Sequence, residues 1–262
     1  MINEIDLANW KQNDIITDDL WLFDSRDRSG KHKNIYHGNF IPQIPYQLIS
    51  RYTRPGDVVL DPFCGSGTTL FECEKLGRKS ICLDINSEIL NCIKAQMNNS
   101  SYNDFALNYC DNTSIIAQKY ILNSLNFLGA DYLDFVIYHP PYFDIIKFTQ
   151  NPSDLSNSTD LSDFLDKFNK CLENTLKFLR RSKYFAIVIG NIYKNSEIVP
   201  LGFLVMNSVK ANFKTKLKGI IVKNIEGNRG KLGVQGIWRY RALRSDYYIF
   251  KHEYIFVFKK EF

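Results

Sequence analysis

The sequence has few of the residues on which metal sites and disulfide frameworks depend. Its 262 residues include four histidines and six cysteines, and no two cysteines are separated by only two residues. Structural zinc sites and disulfide-stapled folds use closely spaced cysteine or histidine pairs. The sequence therefore predicts no metal site, and it favours reduced, buried thiols at its cysteines.

Long apolar runs are also missing. No stretch of 18 apolar residues could span a membrane, and residues 1–6 lack the basic and apolar regions of a secretory signal. We therefore expect a cytoplasmic protein with no membrane partner. The many Asn, Ile and Lys residues fit an AT-rich bacterial or phage genome. The length is sufficient for one large domain.

The two common phosphate-binding fingerprints, G-x-G-x-x-G and G-K-[ST], are absent. The sequence has instead D-P-F-C-G-S-G-T-T at residues 61–69, between a short apolar strand and a helical pattern. Its two glycines let a ligand approach the backbone closely. The carboxylate of Asp61 is unsuited to phosphate but suits an ammonium group, such as the methionine part of S-adenosylmethionine (AdoMet).

Apolar runs alternate with helical patterns along the chain, which predicts an α/β fold with a parallel sheet flanked by helices. Seven strands are predicted, at residues 58–63, 80–85, 105–109, 135–138, 185–190, 217–223 and 247–258. Helices are predicted at residues 44–52, 69–76, 87–98, 114–127, 161–181 and 201–211. No helix is predicted between the last two strands, which favours a terminal antiparallel hairpin. Residues 20–23 are expected to dock on the body.

Acidic residues follow the second and third strands, where ligands of such sheets bind. Asp84 lies about 20 residues after the glycine-rich turn, a placement suited to accepting hydrogen bonds from ribose hydroxyls. Its alternative is to cap the next helix, a role that suits Asn86 or Ser87 better. Asp111 could accept from the amino group of an adenine, and helix capping is an almost equal alternative.

The turn at residues 61–69 and the run His139-Pro140-Pro141-Tyr142 together resemble motifs of the amino-methylating DNA methyltransferases. These enzymes methylate adenine N6 or cytosine N4. The resemblance extends from about residue 21 to residue 260. It implies a Rossmann-like seven-stranded AdoMet-methyltransferase sheet with a terminal antiparallel hairpin and helices on both faces. The cofactor-binding residues it implies are His37, Phe40, Pro42, Asp61, Pro62, Phe63, Cys64, Gly65, Ser66, Gly67, Thr68, Thr69, Asp84, Ile85 and Asp111.

The residue types of the second motif follow from the chemistry of an exocyclic amino group, whose lone pair is delocalised into the base. A polar side chain and the carbonyl of Pro140 would hold the N–H groups and aim the lone pair at the methyl group. Pro140 and Pro141 stiffen the loop and remove backbone donors. Tyr142 would stack on a base taken out of the duplex, and Gly190 would allow close approach of that base.

His139 departs from the family pattern, which has Asp, Asn or Ser at this position. A neutral imidazole can accept one hydrogen bond, and it could act as a base toward the methylated product. The alternatives are that His139 only packs, or that the enzyme is inactive. In the family, Ser at this position favours cytosine N4 and Asp favours adenine N6. With His139 there, the residue no longer indicates which base is modified.

The connection between the last two strands is basic. Residues 214–244 contain nine Lys or Arg and one acidic residue, Glu226. Such a field indicates a surface that faces phosphates, although a solvated basic loop is an alternative. The predicted DNA-binding residues are Lys223, Arg229, Lys231, Trp238, Arg239 and Arg241. His252 and Glu253 could border the pocket, or merely alternate along a strand.

We therefore expect a short N-terminal extension at residues 1–35 and one methyltransferase domain at 36–262, with a small target-recognition loop at about 224–246. The expected function is site-specific methylation of double-stranded DNA, with a cognate restriction endonuclease as a further partner in a restriction-modification pair. One alternative is an RNA enzyme acting on guanine N2 or adenine N6. The other is a DNA-binding relative without catalysis. The sequence indicates no oligomeric state.

Overall fold

The structure is a computed structural model that describes residues 3–32, 38–225 and 235–262. The strands in these ranges are β1 Leu20–Trp21, β2 Val58–Asp61, β3 Lys79–Asp84, β4 Phe105–Tyr109, β5 Leu133–Tyr138, β6 Leu179–Ile189, β7 Ile192–Lys194, β8 Glu197–Val199, β9 Thr215–Asn224 and β10 His252–Lys260. The α-helices are α1 Gln43–Tyr52, α2 Thr68–Leu76, α3 Ser87–Met97, α4 Ile116–Phe127, α5 Leu161–Leu176, α6 Leu201–Asn212 and α7 Gln235–Arg244.

The described strands form a large sheet in the order β1-β9-β10-β6-β5-β2-β3-β4, and β7 pairs with β8 in a separate hairpin. Strands β4, β3, β2, β5 and β6 are parallel neighbours. Every residue of β2 and β5 is buried, as continuous apolar runs in a doubly covered parallel sheet require. The α/β prediction is confirmed.

Helices cover both faces of this sheet. On one face, α4, α5 and α6 pack through Ile121, Phe164 and Val205. On the other face, α1 packs beside the central strands through Leu48, and α2 and α3 form an adjoining cluster. Successive residues of β2 point to opposite faces, so each face receives its own core. All loops that follow the parallel strands consequently open at one edge of the sheet.

The terminal antiparallel hairpin is confirmed as well. Strand β10 lies between β9 and β6 and runs antiparallel to both. The predicted docking of residues 20–23 is also confirmed, because β1 extends the sheet by pairing with β9. Trp21 is buried in the core cluster that contains α1, and the Trp21 indole N–H donates to the Asp18 carbonyl at 3.0 Å.

Several predicted boundaries were wrong. The helix predicted at 161–181 ends at Leu176, because Leu179 already pairs with Leu133 of β5. The last strand begins at His252 rather than at residue 247. Helix α7 lies between β9 and β10, where no helix was predicted. Hairpin β7–β8 was not predicted either. At the end of the predicted 161–181 helix, strand pairing thus overrides the local helical pattern.

Two further observations concern the described ranges alone. No helix there is long and apolar enough to cross a membrane, and no three His, Cys, Asp or Glu side chains come together as a metal site. The cysteines are free thiols, and five of them are buried. Cys92 is exposed on α3, so its predicted burial was wrong.

Candidate active site

The glycine-rich turn joins the buried strand β2 to helix α2. Gly65 and Gly67 have φ angles of 50° and 86°, which glycine adopts without strain. The Gly67 N–H donates to the Cys64 carbonyl at 2.9 Å and closes the turn. A Cβ atom on Gly67 would lie 3.3 Å from Ile93 and Phe71. The turn therefore needs glycine both for its backbone conformation and for its packing on α3.

Asp61 ends β2 and is almost fully buried at the start of this turn. One of its carboxylate oxygens accepts from the Phe63 N–H at 2.9 Å, and the other accepts from the Thr69 hydroxyl at 2.5 Å. Burial nevertheless raises the pKa of Asp61 to about 7. A buried carboxyl group of this kind gains most from a cationic ligand.

Asp84 ends the neighbouring strand β3. Its carboxylate accepts from the Gly65 N–H and from the Asn86 N–H, each at 2.8 Å. Burial raises the pKa of Asp84 to about 6. The capping alternative is excluded for Asp84, because the Asn86 side chain caps α3 by accepting from Glu88 and Ile89 N–H groups. Asp84 is thus held against the glycine-rich turn.

Asp111 follows β4 at the same edge of the sheet. It is half-buried, and one of its oxygens accepts from the Thr113 N–H at 2.8 Å and from the Thr113 hydroxyl at 2.7 Å. It closes a turn rather than capping α4. Its neighbour Asn112 was not predicted as a site residue. The Asn112 amide donates to the Pro62 carbonyl, and its own Oδ1 is buried without a partner.

The segment before α1 connects the glycine-rich turn with the loop at residues 139–142. The Asn39 amide donates to the Ser66 hydroxyl at 2.5 Å, and Phe40 lies with its ring centre 4.8 Å from that of His139. Pro42 is buried immediately before α1. The structure therefore places Phe40 against His139, and Pro42 lies two residues further on, at the start of α1. His37, the other predicted residue of this segment, lies outside the described residues.

The loop from His139 to Tyr142 follows β5 at the same edge of the sheet. It tightens at its end, where the Phe143 N–H donates to the Pro141 carbonyl at 2.9 Å and Phe143 adopts a φ of 55°. Such a backbone is uncommon for an aromatic residue. Lys194 of hairpin β7–β8 holds this turn through an ion pair with Asp144 and a contact 4.4 Å from the Phe143 ring centre.

His139 lies between two aromatic rings, Phe40 and Tyr142, the latter at 5.7 Å in an edge-on arrangement. Burial lowers the pKa of His139 to about 4, and the nearby Glu253 opposes this shift only in part. The imidazole is therefore neutral at physiological pH. A neutral ring offers one hydrogen-bond acceptor, as the predicted role requires.

Tyr142 contacts residues that the sequence associated with other roles. The Tyr142 hydroxyl donates to Glu253 Oε2 at 2.7 Å, and Lys223 Nζ donates to Glu253 Oε1 at 3.1 Å. A Cβ atom on Gly190 would lie 2.9 Å from the Tyr142 ring. The space beside Gly190 therefore accommodates Tyr142, which corrects the prediction that it admits a base.

The predicted DNA-binding residues that the structure describes are not all exposed. Lys223 is only 4% exposed and paired with Glu253, which contradicts its prediction as a phosphate contact. Arg239 and Arg241 are exposed on α7, and the Arg241 guanidinium lies 5.4 Å from the centre of the Trp238 ring. Arg229 and Lys231 lie outside the described residues.

Comparisons with known proteins give two family matches. A family described as DNA methylase matches residues 3–95, and one described as RNA cap guanine-N2 methyltransferase matches residues 56–222. Over 116 residues the chain is 33% identical to the type II methyltransferase M.HpaI of Haemophilus parainfluenzae, covering 41% of this chain and 36% of that protein.

A second relative acts on RNA according to its name. The tRNA (guanine(10)-N2)-dimethyltransferase of Methanocaldococcus jannaschii is 30% identical over 129 residues, which cover 46% of this chain and 36% of that enzyme. The chain thus spans about a third of the length of either relative. A putative methyltransferase from Streptococcus mutans, solved in complex with SAH, shares the fold with a TM-score of 0.50 and 11% identity, over 83% of this chain and 96% of its own.

The fold and these matches together define an AdoMet-dependent methyltransferase. The longer family match covers more than half of the 262 residues. The chain therefore belongs to the family described as RNA cap guanine-N2 methyltransferase, and the family described as DNA methylase matches about a third of the chain, residues 3–95. The resemblance to DNA amino-methyltransferases stated from the two motifs is confirmed.

Proposed function

We propose that this chain is a site-specific DNA methyltransferase that modifies an exocyclic amino group, adenine N6 or cytosine N4. The observation that carries the proposal is the position of Asn39 and Phe40. Asn39 bonds to Ser66 of the glycine-rich turn, and Phe40 lies against His139 of the loop at residues 139–142, which we call the catalytic loop. The proposed cofactor site and the proposed acceptor site are therefore neighbours across one short segment.

The residues at the strand ends fit AdoMet. Asp61 and Asp84 are buried carboxyl groups with raised pKa values, and their environment favours a ligand that brings an ammonium group and hydroxyl groups. We assign Asp61 to the methionine ammonium, Asp84 to the ribose and Asp111 to the adenine amino group. When bound, AdoMet would supply an electrophilic methyl group for transfer.

The catalytic loop fits an amino group as the methyl acceptor. The neutral His139 accepts one N–H hydrogen bond, and the Pro140 carbonyl accepts the other. This pair of acceptors favours a tetrahedral nitrogen whose lone pair is directed at the methyl group. Because the pKa of His139 is about 4, its side chain is better suited to accepting a hydrogen bond than to taking up the proton that the methylated amino group releases.

DNA is the acceptor that we favour, and RNA is the second candidate. The DNA methylase match includes the upstream segment and the whole glycine-rich turn, and M.HpaI is a type II methyltransferase by name. The longer RNA guanine-N2 match and the tRNA relative support the alternative. Helix α7 supports either substrate, because it presents exposed arginines beside Trp238. We propose residues 224–246 as the target-recognition element of a single domain at 36–262.

The test is methyl transfer from AdoMet labelled with tritium in its methyl group. The purified chain would be incubated with unmethylated genomic DNA and, separately, with total RNA, with His139→Ala and Asp61→Ala as controls. Label in DNA, absent from both variants, supports the proposal, and sequencing of the labelled sites would identify the base. Label only in RNA would establish the alternative. AdoMet binding without transfer to either substrate would indicate a binding protein.

A further inference from the structure

We propose that Glu253, held by Lys223, is a positioning residue that fixes the ring of Tyr142 where it stacks on the acceptor base. This inference rests on the proposed function. The Tyr142 hydroxyl donates a hydrogen bond to Glu253 Oε2 at 2.7 Å. The two residues are 111 positions apart in the chain. Their contact therefore exists only in the folded sheet.

The register of the terminal hairpin determines where Glu253 lies. Glu253 of β10 pairs directly with Lys223 of β9, and opposed residues of an antiparallel pair project from the same face. Glu253 is 7% exposed and Lys223 is 4% exposed. A buried ion pair is stable only when its remaining hydrogen-bonding atoms find partners. The Tyr142 hydroxyl supplies that partner for the second oxygen of Glu253.

Gly190 limits the Tyr142 ring on another side. It follows β6, the strand adjacent to β10, and a Cβ atom at this position would lie 2.9 Å from Tyr142 Cε2. The ring thus lies against bare backbone while its hydroxyl is fastened to Glu253. His139 contacts the same ring edge-on at 5.7 Å. These contacts restrict the ring in position and in rotation.

The protonation state of Tyr142 supports this arrangement. Burial, together with the adjacent Glu253 carboxylate, raises the pKa of Tyr142 well above its ordinary value. The hydroxyl therefore keeps its proton and acts as the donor. A ring that is fixed before the base arrives does not lose its freedom at the moment of binding. The ion pair is thus part of the acceptor site, although neither charged group needs to touch the base.

The decisive variant is Tyr142→Phe, which keeps the ring and the ion pair and removes only the hydroxyl. We expect its kcat for labelled methyl transfer to fall about 10-fold, as a loosened catalytic geometry implies. AdoMet affinity should stay unchanged, because Tyr142 is not assigned to the cofactor. Tyr254→Phe is the matched control, since the Tyr254 hydroxyl bonds to His252 on the same strand at 3.0 Å. It should leave kcat within about twofold.

Glu253→Gln provides the second arm, and thermal unfolding of every variant monitors folding. The double variant combines Tyr142→Phe with Glu253→Gln. If Glu253 acts through Tyr142, the kcat of the double variant should be no lower than that of the more impaired single variant. A purely structural role would lower the unfolding temperature of Tyr142→Phe and leave its kcat intact, and that result would overturn the inference. So would additive losses of kcat in the double variant.

The failure of this inference can be told from failure of the proposed function. Suppose that the wild type and Tyr142→Phe are fully active and Tyr142→Ala is inactive. This result would support base stacking by Tyr142 and refute the positioning role of Glu253. A wild type that transfers no methyl group to DNA or RNA would refute the proposed function, and the inference with it. If the wild type methylates only RNA, the same variants would be compared on RNA, and the same losses of kcat are expected.

Discussion

At the scale of single residues, Asp61 and Asp84 are carboxyl groups whose ionisation the fold disfavours. Burial raises their pKa values to about 7 and about 6. Between pH 5 and 8 both groups therefore change charge in the ligand-free protein. A ligand that binds the ionised carboxylates should bind more tightly as these groups lose their protons. The pH dependence of AdoMet affinity should therefore follow the ionisation of Asp61 and Asp84.

We predict that the affinity for AdoMet rises between pH 5 and pH 8, because Asp61 must be ionised to bind the ammonium group. In Asp61→Asn the affinity should fall by about 10- to 100-fold, the effect of losing a hydrogen bond to a charged group. The remaining pH dependence should then centre near 6, where Asp84 titrates. Calorimetric titration at several pH values measures this. The exposed Asp166→Asn serves as the control, and a wild-type affinity independent of pH would remove Asp61 from its assigned role.

The same substitution has an opposite effect on the ligand-free protein. A folded-state pKa of about 7, above the ordinary 3.8, means that the folded state binds the proton more tightly. The free energy of unfolding therefore falls as the pH rises from about 4 to 7. Asp61→Asn should exceed the wild type in stability at pH 8, and the difference should vanish near pH 4. Denaturant unfolding at both pH values measures the difference in free energy of unfolding between Asp61→Asn and the wild type. A carboxylate retained for ligand binding at the expense of stability would explain such a difference.

His139 is expected to act on the acceptor amino group and not on the cofactor. His139→Ala should lower kcat by about 100-fold or more while leaving AdoMet affinity unchanged, because it removes an acceptor for the amino group. His139→Asn restores an acceptor oxygen and should recover part of the activity. Because the pKa of His139 is about 4, its neutral form prevails from pH 6 to 8. A loss of wild-type kcat centred near pH 6.5, absent from His139→Asn, would contradict this assignment.

At the scale of elements, α7 is a part of the basic segment that presents arginines to solvent. The sequence assigned phosphate contacts to Lys223 and to this helix alike. The register of β9 against β10 buries Lys223, whereas Arg239 and Arg241 are exposed. Charge density along a segment does not distinguish these positions. Strand pairing across the hairpin distinguishes them, because Lys223 lies opposite the buried carboxylate of Glu253.

We predict that replacing Arg239 and Arg241 by Ala weakens binding to duplex DNA and flattens its salt dependence. Each phosphate contact contributes about 0.9 to the slope of log affinity against log salt, so the slope should change by up to about 2. Fluorescence anisotropy with a short duplex at several salt concentrations measures it. Lys94→Ala with Lys210→Ala is the matched control, because these lysines are exposed near the carboxyl ends of α3 and α6. An unchanged slope in the arginine variant would move the DNA surface elsewhere.

At the scale of the whole molecule, the N-terminal extension is joined to the core. Trp21 is 2% exposed and packs in the cluster formed by α1 and the strands on that face of the sheet. The Phe23 N–H donates to the Asn224 side chain at 2.9 Å, and the Val222 N–H donates to the Asp19 carbonyl at 2.8 Å. These contacts attach the extension to β9, the strand that carries Lys223. The extension should therefore unfold together with the sheet.

We predict that Trp21→Ala lowers the free energy of unfolding by about 3–5 kcal/mol, the usual cost of removing a buried tryptophan side chain. Trp10→Ala is the matched control, since Trp10 is 62% exposed and its loss should change stability by less than about 0.5 kcal/mol. Urea unfolding monitored by circular dichroism compares the two variants. An unaltered midpoint for Trp21→Ala, or a separate transition for the extension, would show that the extension folds independently.

The features that the sequence alone predicted are local ones. The glycine-rich turn, the alternation of strands and helices in the parallel part of the sheet, and the placement of Asp61, Asp84 and His139 at strand ends follow from short-range patterns. Glycine supports a left-handed turn wherever the chain requires one, and apolar runs bury themselves in a parallel sheet. For this reason the fold class was predicted correctly, and the predicted site residues at the strand ends lie at one edge of the sheet.

Only the tertiary structure determined which of these residues touch. The pairing of Glu253 with Lys223, the position of Tyr142 against Gly190, and the approach of Phe40 to His139 all join distant parts of the chain. Such contacts depend on strand register and on the packing of loops above the sheet, and a shift of one residue would point every side chain to the other face. Local patterns identify the groups that a site needs, whereas the register of the sheet decides how they are combined.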